Sequence, residues 1–417
     1  MVAVGFTAMK PAEPSRSTDI PSIAVLPFDD MSPEKNFGYL GDGVADDIIS
    51  MLARAPDVSV VARNSSFTYK GKATDVRQIG KDLGVSYVLE GSVRREADKI
   101  RIVAQLIDTR SDEHVWAQRY DKASTDPWAL QDEVTGQIIA TLAGETGQLK
   151  KAQYREAWGK DTTSLGEYDY YLRGHDVFMS AMDKAQYDRA GEIWREGLAK
   201  YPGSDLLKIS LAWHHYGTAF SFWSDDPAAD YRAAGKLTRE VLARDNLSPL
   251  VSKLAHWLMA FVLAQERNFE GARKEASGAA ELAPYDAQMI AHLAMVKLMV
   301  GEVDKALEWL DSADARDPSG AKLSNYRRGW AYTLQNRNEQ AVAALKQGID
   351  YVDTPLLLAV NYVRLGRLDD AKSSVQAALK IDPTFTQARW RAGYFYSDPS
   401  IVEREVADLA KAGLPEK

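Results

Sequence analysis

A period of about 34 residues in the second half of the chain limits what that half can fold into. Ala272, Ala306 and Ala341 lie 34 and 35 residues apart, and Pro284 and Pro318 lie 34 apart, each after an alanine-rich segment. Small side chains at fixed positions let paired helices approach closely, and a proline ends the second helix of a pair. A helical pattern with this period predicts a solenoid of stacked helix pairs.

The repeat divides residues 165–383 into about six helix pairs. We place them at 165–202, 203–248, 249–284, 285–318, 319–353 and 354–383, with capping helices over 384–417. The second pair is irregular because a polar loop, FWSDDP at 222–227, interrupts it. Such an array presents a concave face formed by the first helices of its pairs, which suits a peptide or another extended ligand.

The first half of the chain has a different pattern, with strands as well as helices. We predict strands at 22–28, 58–62, 87–95, 99–107 and 113–120, with helices at 38–54, 76–83 and from 127 onward. This order predicts a mixed-sheet α/β domain over 21–127, a helical connector over 128–164 and a leader or linker over 1–20. The expected fold class is therefore α/β plus all-α.

Composition excludes several classes of protein. The 417-residue chain carries a net charge of −8 and no cysteine, so disulfides, thiolate metal sites and cysteine nucleophiles are excluded. Neither half has the excess of basic residues that nucleic-acid binding requires, and no apolar run reaches the roughly 18 residues of a membrane span. A nucleic-acid partner is not expected.

The sequence offers no catalytic or cofactor motif. It contains neither a phosphate-binding GxxxxGK[ST] loop, nor a GxSxG elbow, nor an HExxH zinc motif. His214 and His215 are adjacent, so on a helix they point in different directions and cannot chelate one ion together. We therefore expect no catalytic residue, metal or cofactor in this chain.

Large side chains on the first helices of the pairs are candidates for binding a partner. Projected along the repeat, eight of them face the concave side: Met179, Trp213, Tyr216, Trp257, Phe261, Met295, Tyr326 and Trp330. Aromatic and methionine side chains supply contact area in binding hot spots. The alternative is packing between helices, which is the usual role of an aromatic stripe at helical spacing.

A second candidate site lies in the α/β domain. Asp29 and Asp30 follow the first strand, and Asn64 and Ser65 follow the second. In open α/β sheets, ligands bind beyond the carboxyl ends of the strands, so these residues could flank one cleft. Capping and turn formation by the same side chains is the favoured alternative.

The chain also resembles known families. Its helix pairs resemble tetratricopeptide repeats over about 220 residues. The first domain resembles the TolB-like domain related to the FlgO family, through SIAVLPFDDMS (22–32), YLGDGVADDI (39–48), ARNSSFTYKG (62–71), LGVSYVLEGSV (83–93), AQLIDTRSDEHVWAQRYD (104–121) and LQDEV (130–134). The combination, ending in KAGLPE at 411–416, resembles the carboxy-terminal region of bacterial class III adenylate/guanylate cyclases.

This resemblance implies a non-catalytic sensory and protein-interaction region whose cyclase domain would precede Met1. Two alternatives remain open, a stand-alone repeat scaffold and the sensor region of a CadC-like transcriptional regulator. We expect a bacterial signalling protein with a protein or peptide partner, and a homodimer is compatible with it. Periplasm and cytoplasm both fit, and a membrane helix upstream of Met1 would favour the periplasm.

Overall fold

The first half of the chain forms a mixed sheet. The computed structural model describes residues 20–96, 99–123, 127–144, 147–181, 183–349 and 351–417, so the leader and the tip of the predicted hairpin lie outside it. The strands are β1 Ser22–Val25, β2 Asp29–Asp30, β3 Ser59–Val60, β4 Tyr87–Glu96, β5 Lys99–Asp108 and β6 Glu113–Ala123. Their order is β3-β1-β4-β5-β6, with β2 also paired to β4. The three strands β3, β1 and β4 are parallel, and β4, β5 and β6 form an antiparallel meander.

Helices cover both faces of this sheet. They are α1 Gly38–Leu52, α2 Arg63–Ser66, α3 Val76–Leu83 and α4 Pro127–Leu142. Because side chains alternate along a strand, Ile23 and Val25 face one core with α1 and α4, whereas Ala24 packs on the other face with Ile79 of α3. The first helix of the predicted connector thus shares the core of the α/β domain.

Gly91 in β4 leaves room for the ring of Phe28. A Cβ at this glycine would lie 2.3 Å from the carbonyl oxygen of Val103 and 2.4 Å from the ring of Phe28. Only a residue without a side chain lets the aromatic ring lie on the strand here. Phe28 is 2% exposed and belongs to the core between the sheet and α1.

The second half is a helical array, as the repeat predicts. After α5 Gln148–Gly159, its pairs are α6 Glu167–Ser180 with α7 Lys184–Lys200, α8 Asp205–Phe220 with α9 Pro227–Leu242, α10 Pro249–Gln265 with α11 Phe269–Leu282, α12 Ala287–Met299 with α13 Val303–Arg316, α14 Ala321–Leu334 with α15 Asn338–Lys346, and α16 Thr354–Arg364 with α17 Leu368–Ile381. The chain ends with α18 Gln387–Gly393 and α19 Ser400–Lys411. The predicted fold class is therefore confirmed.

The repeated alanines have the role that their spacing predicts. Ala272, Ala306 and Ala341 are fully buried at the start of second helices. Many first turns are closed by a polar side chain, since Ser204, Ser248 and others accept a hydrogen bond from a backbone N–H two to three residues ahead. Small contact residues and capped ends together define where each helix pair begins and how closely its members pack.

A short segment, residues 394–397, links α18 to α19 and crosses to earlier helices. Tyr394 and Tyr396 are buried, and the N–H of Ser397 donates to the carbonyl oxygen of Met299 at the end of α12. Phe395 lies 6.4 Å from the ring of Tyr231 in α9. This linking segment therefore packs across several helix pairs instead of continuing the repeat.

Glu405 of α19 predicts a pH dependence of the C-terminal helices. Its fully buried carboxyl accepts hydrogen bonds from Trp390 Nε1 at 3.1 Å and from Tyr396 Oη at 3.3 Å, near the Arg364–Asp408 ion pair. Burial raises the pKa of Glu405 to about 7. Between the unfolded pKa of about 4.3 and this value, only the folded state keeps the proton, so stability falls as pH rises through this window.

The Glu405→Gln variant should remove this dependence. We expect the variant to gain roughly 2 kcal/mol relative to wild type between pH 5 and pH 8, because a neutral amide replaces a buried carboxylate. Hydrogen exchange of α18 and α19 at both pH values measures the change. If the difference in stability between Glu405→Gln and wild type is the same at pH 5 and pH 8, Glu405 is not the source of the pH dependence.

Candidate functional site

The α/β domain docks on the middle of the helical array through a buried charge cluster. Lys253 of α10 is fully buried, and its Nζ lies 3.3 Å from Asp286 Oδ2 and 3.8 Å from Asp57 Oδ2. Asp57 precedes β3, and Asp286 caps α12 by accepting from the N–H of Met289. Lys253 thus pairs with Asp57 of the α/β domain and with Asp286 of the array. An unpaired charge at this buried contact would be very unfavourable.

Tyr285 extends the same contact. Its side chain packs against the hydrophobic core of the α/β domain, although it belongs to the array. The guanidinium groups of Arg54 and Arg316 lie 5.6 and 5.8 Å from its ring centroid. Burial lowers the pKa of Arg316, whose Nη1 donates to the carbonyl oxygen of Pro284. The contact between the α/β domain and the array, which we call the docking surface, therefore combines the aromatic ring of Tyr285 with charged groups from both parts of the chain.

A polar cleft of about 510 Å³ separates the two parts elsewhere. It lies between the amino ends of β1 and β4 and the helices α5 and α6. Arg110 bridges it, with Nη1 2.8 Å from Glu156 of α5 and Nη2 2.7 Å from Asp108. Hydrogen bonds with Asp108 and then Glu156 raise the pKa of Arg110, so it stays cationic.

The charges in this cleft balance one another. On the array side, Lys160 Nζ lies 2.7 Å from Asp169 Oδ1. Tyr87 adds a hydroxyl whose pKa burial raises to about 12, so it remains neutral. Paired charges and neutral donors suit a small polar ligand without a strong net charge better than an anion or a cation.

Three of the predicted array residues surround a small apolar cavity. Met179, Trp213 and Trp257 line a space of about 40 Å³ between α6, α8 and α10. Met179 and Trp213 are partly exposed, whereas Trp257 is 6% exposed. Trp213 Nε1 donates to the carbonyl oxygen of Leu254 at 3.2 Å, which fixes its indole against α10. These residues offer a partner a small, partly open apolar surface.

The other five predicted array residues are buried between helices. Tyr216, Phe261 and Met295 are at most 3% exposed, and Phe261 packs at 4.4 Å between centroids on the ring of His292. Burial lowers the pKa of His292 well below its usual value, so this core is uncharged. Packing within the array is the role that these positions have in this conformation.

Tyr326 and Trp330 lie under the linking segment 394–397. Tyr326 Oη donates to Asp353 Oδ2 at 2.6 Å, and Tyr394 donates to the same oxygen. Trp330 Nε1 donates to Tyr396 Oη at 2.8 Å. The chain's own aromatic segment therefore covers these two side chains, and a partner would reach them only after that segment moved.

The predicted α/β cleft residues lie in two different elements. Asp29 and Asp30 form β2 and pair with Ser92 and Val93 of β4. Asp30 accepts hydrogen bonds from the N–H groups of Ser32 and Phe37, as its turn-forming alternative requires. Asn64 and Ser65 are exposed in α2. A shared ligand for the two segments remains a prediction.

Sequence reasoning missed the Lys253 cluster. The available signal was a lone lysine in the otherwise apolar helix PLVSKLAHWLMAFVLAQ. A charged residue on such a buried helix requires a partner, but the partner Asp57 is almost 200 residues away in the sequence. Local patterns carry no information about a pairing across that distance.

Comparisons with known families identify the repeats. Residues 324–351 and 356–385 match the tetratricopeptide repeat family. These matches cover two helix pairs of an array that is a tetratricopeptide-like solenoid. Residues 18–137 match the second domain of HilA/YgeH-like transcriptional regulators, whereas the TolB-like resemblance stays a prediction.

A curated relative matches more than half of the chain. A Rhizobium meliloti (strain 1021) protein named "Putative adenylate cyclase 3" is 37% identical over 257 residues, which cover 60% of this chain and 42% of the relative. The chain thus matches less than half of that protein's length. Tetratricopeptide repeats generally bind other proteins, so the array is a protein-interaction region.

Two solved structures are more distant. Pseudomonas aeruginosa pilF is 15% identical, with a TM-score of 0.35, over 56% of this chain and 95% of its own. TolB from Acinetobacter baumannii is 16% identical, with a TM-score of 0.21, over 30% of each chain. Neither likeness carries information about function.

The described residues contain neither a candidate metal site nor a candidate membrane span. Within them, no cluster of three or more His, Cys, Asp or Glu side chains is placed to bind a metal ion. Among the helices that the structure describes, none is long and apolar enough to cross a bilayer.

Proposed function

We propose that this chain is the non-catalytic regulatory and protein-interaction region of a bacterial class III adenylate cyclase. The observation that carries the proposal is the 37% identity to the Rhizobium meliloti protein, together with the larger part of that relative lying outside the match. The tetratricopeptide array supplies the interaction surface. The α/β domain supplies a second unit whose docking on the array responds to a ligand or partner.

The docking contact is the element that would transmit a signal. A ligand in the polar cleft would touch Arg110 on the α/β side and Lys160 on the array side. If it binds one arrangement of the two parts better than another, it shifts their populations by that difference in affinity. Small-angle scattering with and without a bound partner tests this step, and an unchanged envelope despite saturation would count against it.

Deleting the region from the natural protein tests the function. We expect the full reading frame to make cyclic AMP, the chain from residue 20 to 417 to make none, and the deletion protein to retain synthesis that no longer responds to the partner. The response should change at least severalfold, because coupling energies between sites are typically about 1–3 kcal/mol. Cyclic AMP synthesis by the isolated chain, or none by the full protein, would overturn the proposal.

A second candidate function has its own support. The match of residues 18–137 to a HilA/YgeH-like regulator domain favours the sensor region of a transcriptional regulator. In that case the natural reading frame would bind a specific DNA duplex with high affinity and would make no cyclic AMP. A gel-shift titration of the full protein beside the cyclase assay separates the two functions.

A further inference from the structure

A cavity of about 290 Å³ lies between α12, α13 and α14, apart from the polar cleft and the aromatic residues described above. Its apolar wall is formed by Ala287, Ala291, Ala313, Leu323 and Ile349. The space is large enough for one aliphatic side chain together with a small polar group. The first turn of α12 lies beside it, directly after Tyr285 and Asp286 of the docking surface.

Arg327 of α14 contributes a buried cation to this cavity. The residue is 4% exposed, and no group in the described structure accepts a hydrogen bond from its Nε. Gln288 also lines the cavity, and its buried Oε1 is likewise without a described donor. Buried charges in proteins are nearly always paired, because leaving one unpaired costs several kcal/mol by order of magnitude.

Three other buried or partly buried arginines of the array have hydrogen-bond acceptors. Arg173 donates to the carbonyl oxygens of Ala157 and Lys160, and Arg364 Nε lies 2.9 Å from Asp408. Arg328, the immediate neighbour of Arg327, bridges Asp311 and Asp314. Arg327 is more deeply buried than Arg328, yet its Nε has no acceptor in the described structure.

The start of α14 adds further positive potential. Gly320 at the N-cap supplies no side chain to the first-turn N–H groups, and Gly320 and Lys322 both line the cavity. The dipole at the start of this 14-residue helix favours an anion. The guanidinium and the helix end therefore act on the same space.

The acidic groups around the cavity limit the charge of its ligand. Asp314 and Asp317 line it, with Asp314 bound to Arg328, and Tyr326 and Tyr351 lie near the guanidinium. His292 faces Arg327 but is neutral, because burial lowers its pKa. Burial likewise lowers the pKa of Arg327 to about 10, which leaves it cationic at neutral pH. A single negative charge fits this surrounding better than a phosphate dianion.

We propose that this cavity binds an aliphatic carboxylate, whose two oxygens pair with the Arg327 guanidinium while its hydrocarbon part lies against the alanine, leucine and isoleucine wall. Guanidinium and carboxylate match each other in a planar, bidentate geometry. The carboxylate comes from the C-terminal residue of a peptide or from a free small acid. This site deepens the proposed interaction role of the array and rests on it, but not on the attached cyclase.

Calorimetric titration of the full 417-residue chain tests the site. The probes are 4-methylpentanoate, the peptide acetyl-Ala-Ala-Leu with a free carboxylate, its C-terminal amide, and inorganic phosphate. We expect a carboxylate probe to bind, and Arg327→Gln to weaken it at least about tenfold, because a charge-assisted hydrogen bond contributes on the order of 1.5–3 kcal/mol. The amide and phosphate should bind at least tenfold more weakly than the best carboxylate.

Two further variants distinguish binding from a folding defect. Ala291→Leu keeps Arg327 but fills the cavity, so it should also abolish binding, while Arg232→Gln changes an exposed arginine and should leave binding unchanged. Circular dichroism confirms that each variant is folded. Absence of binding by all carboxylate probes, equal binding by Arg327→Gln, or preferential binding of phosphate overturns the proposal. Because no cyclase is assayed, these outcomes are independent of the test of the proposed function.

Discussion

Replacing Lys253 with alanine is expected to destabilise the docked arrangement by about 3–5 kcal/mol, because two buried carboxylates lose their common cation. Asp57 is 3% exposed and Asp286 is 6% exposed, so water cannot readily replace the ammonium group. Asp286 also caps α12, and a change in its position would affect that helix. The variant should therefore loosen the start of α12 as well as the domain contact.

Hydrogen exchange measures this loss locally, which matters because a chain of two parts need not unfold in one step. We expect faster exchange in β3 and in the first turn of α12, and faster proteolysis between the two parts. The matched control is Lys236→Ala, since that lysine is 77% exposed and pairs with Glu240 only at 3.8 Å. Exchange in Lys253→Ala that equals the control would mean that the cluster does not hold the domains together.

A double variant that removes one charge from the array and one from the α/β domain can be compared with Lys253→Ala. Lys253→Met with Asp57→Asn leaves Asp286 as the remaining carboxylate of the described cluster, and should be less damaging than Lys253→Ala alone. Breaking a buried pair costs more than replacing it with neutral groups of similar volume. Equal losses in the two variants would indicate that the lysine acts through its packing instead of its charge.

Much of the α/β domain could be predicted because its signals are local. Burial alternates along β5, whereas the start of β4 is buried on both faces and most of β6 is exposed. The predicted strands nevertheless end within a few residues of the observed ones. The strand predicted at 22–28 is split instead, since Pro27 has no N–H for the ladder and β2 resumes at Asp29. The four-residue helix α2 is not among the predicted helices, because a single turn has no periodicity.

The array shows where local signals end. The repeat period predicts the helix pairs, but not what covers the large side chains on their first helices. Residues 394–397 are not part of the repeat. Tyr394 contacts Asp353, 41 residues away in the sequence, and Tyr396 contacts Trp330, 66 residues away. Arg327 was missed for a related reason, since the absence of an acceptor for its Nε among the described residues is visible only once the neighbouring side chains have positions.

Replacing Trp330 with alanine is expected to destabilise the C-terminal half of the array by about 3–5 kcal/mol, the usual loss for a buried tryptophan. The indole is 1% exposed, packs edge-on against Tyr394 at 5.4 Å, and donates to Tyr396 Oη. Without it, the linking segment 394–397 loses this hydrogen bond and this ring contact with α14. Chemical denaturation followed by tyrosine and tryptophan fluorescence measures the change.

Trp330→Phe separates packing from hydrogen bonding, because it keeps most of the ring and should lose about 1–2 kcal/mol. The matched control is Trp128→Ala, at a tryptophan that is 71% exposed, where a loss below about 1 kcal/mol is expected. If Trp330 instead contacts a partner, Trp330→Phe should lose partner binding while keeping its stability. If Trp330→Ala is much less stable and Trp330→Phe still binds the partner, Trp330 belongs to the core. Its buried indole then acts by packing against the linking segment and not by contacting a partner.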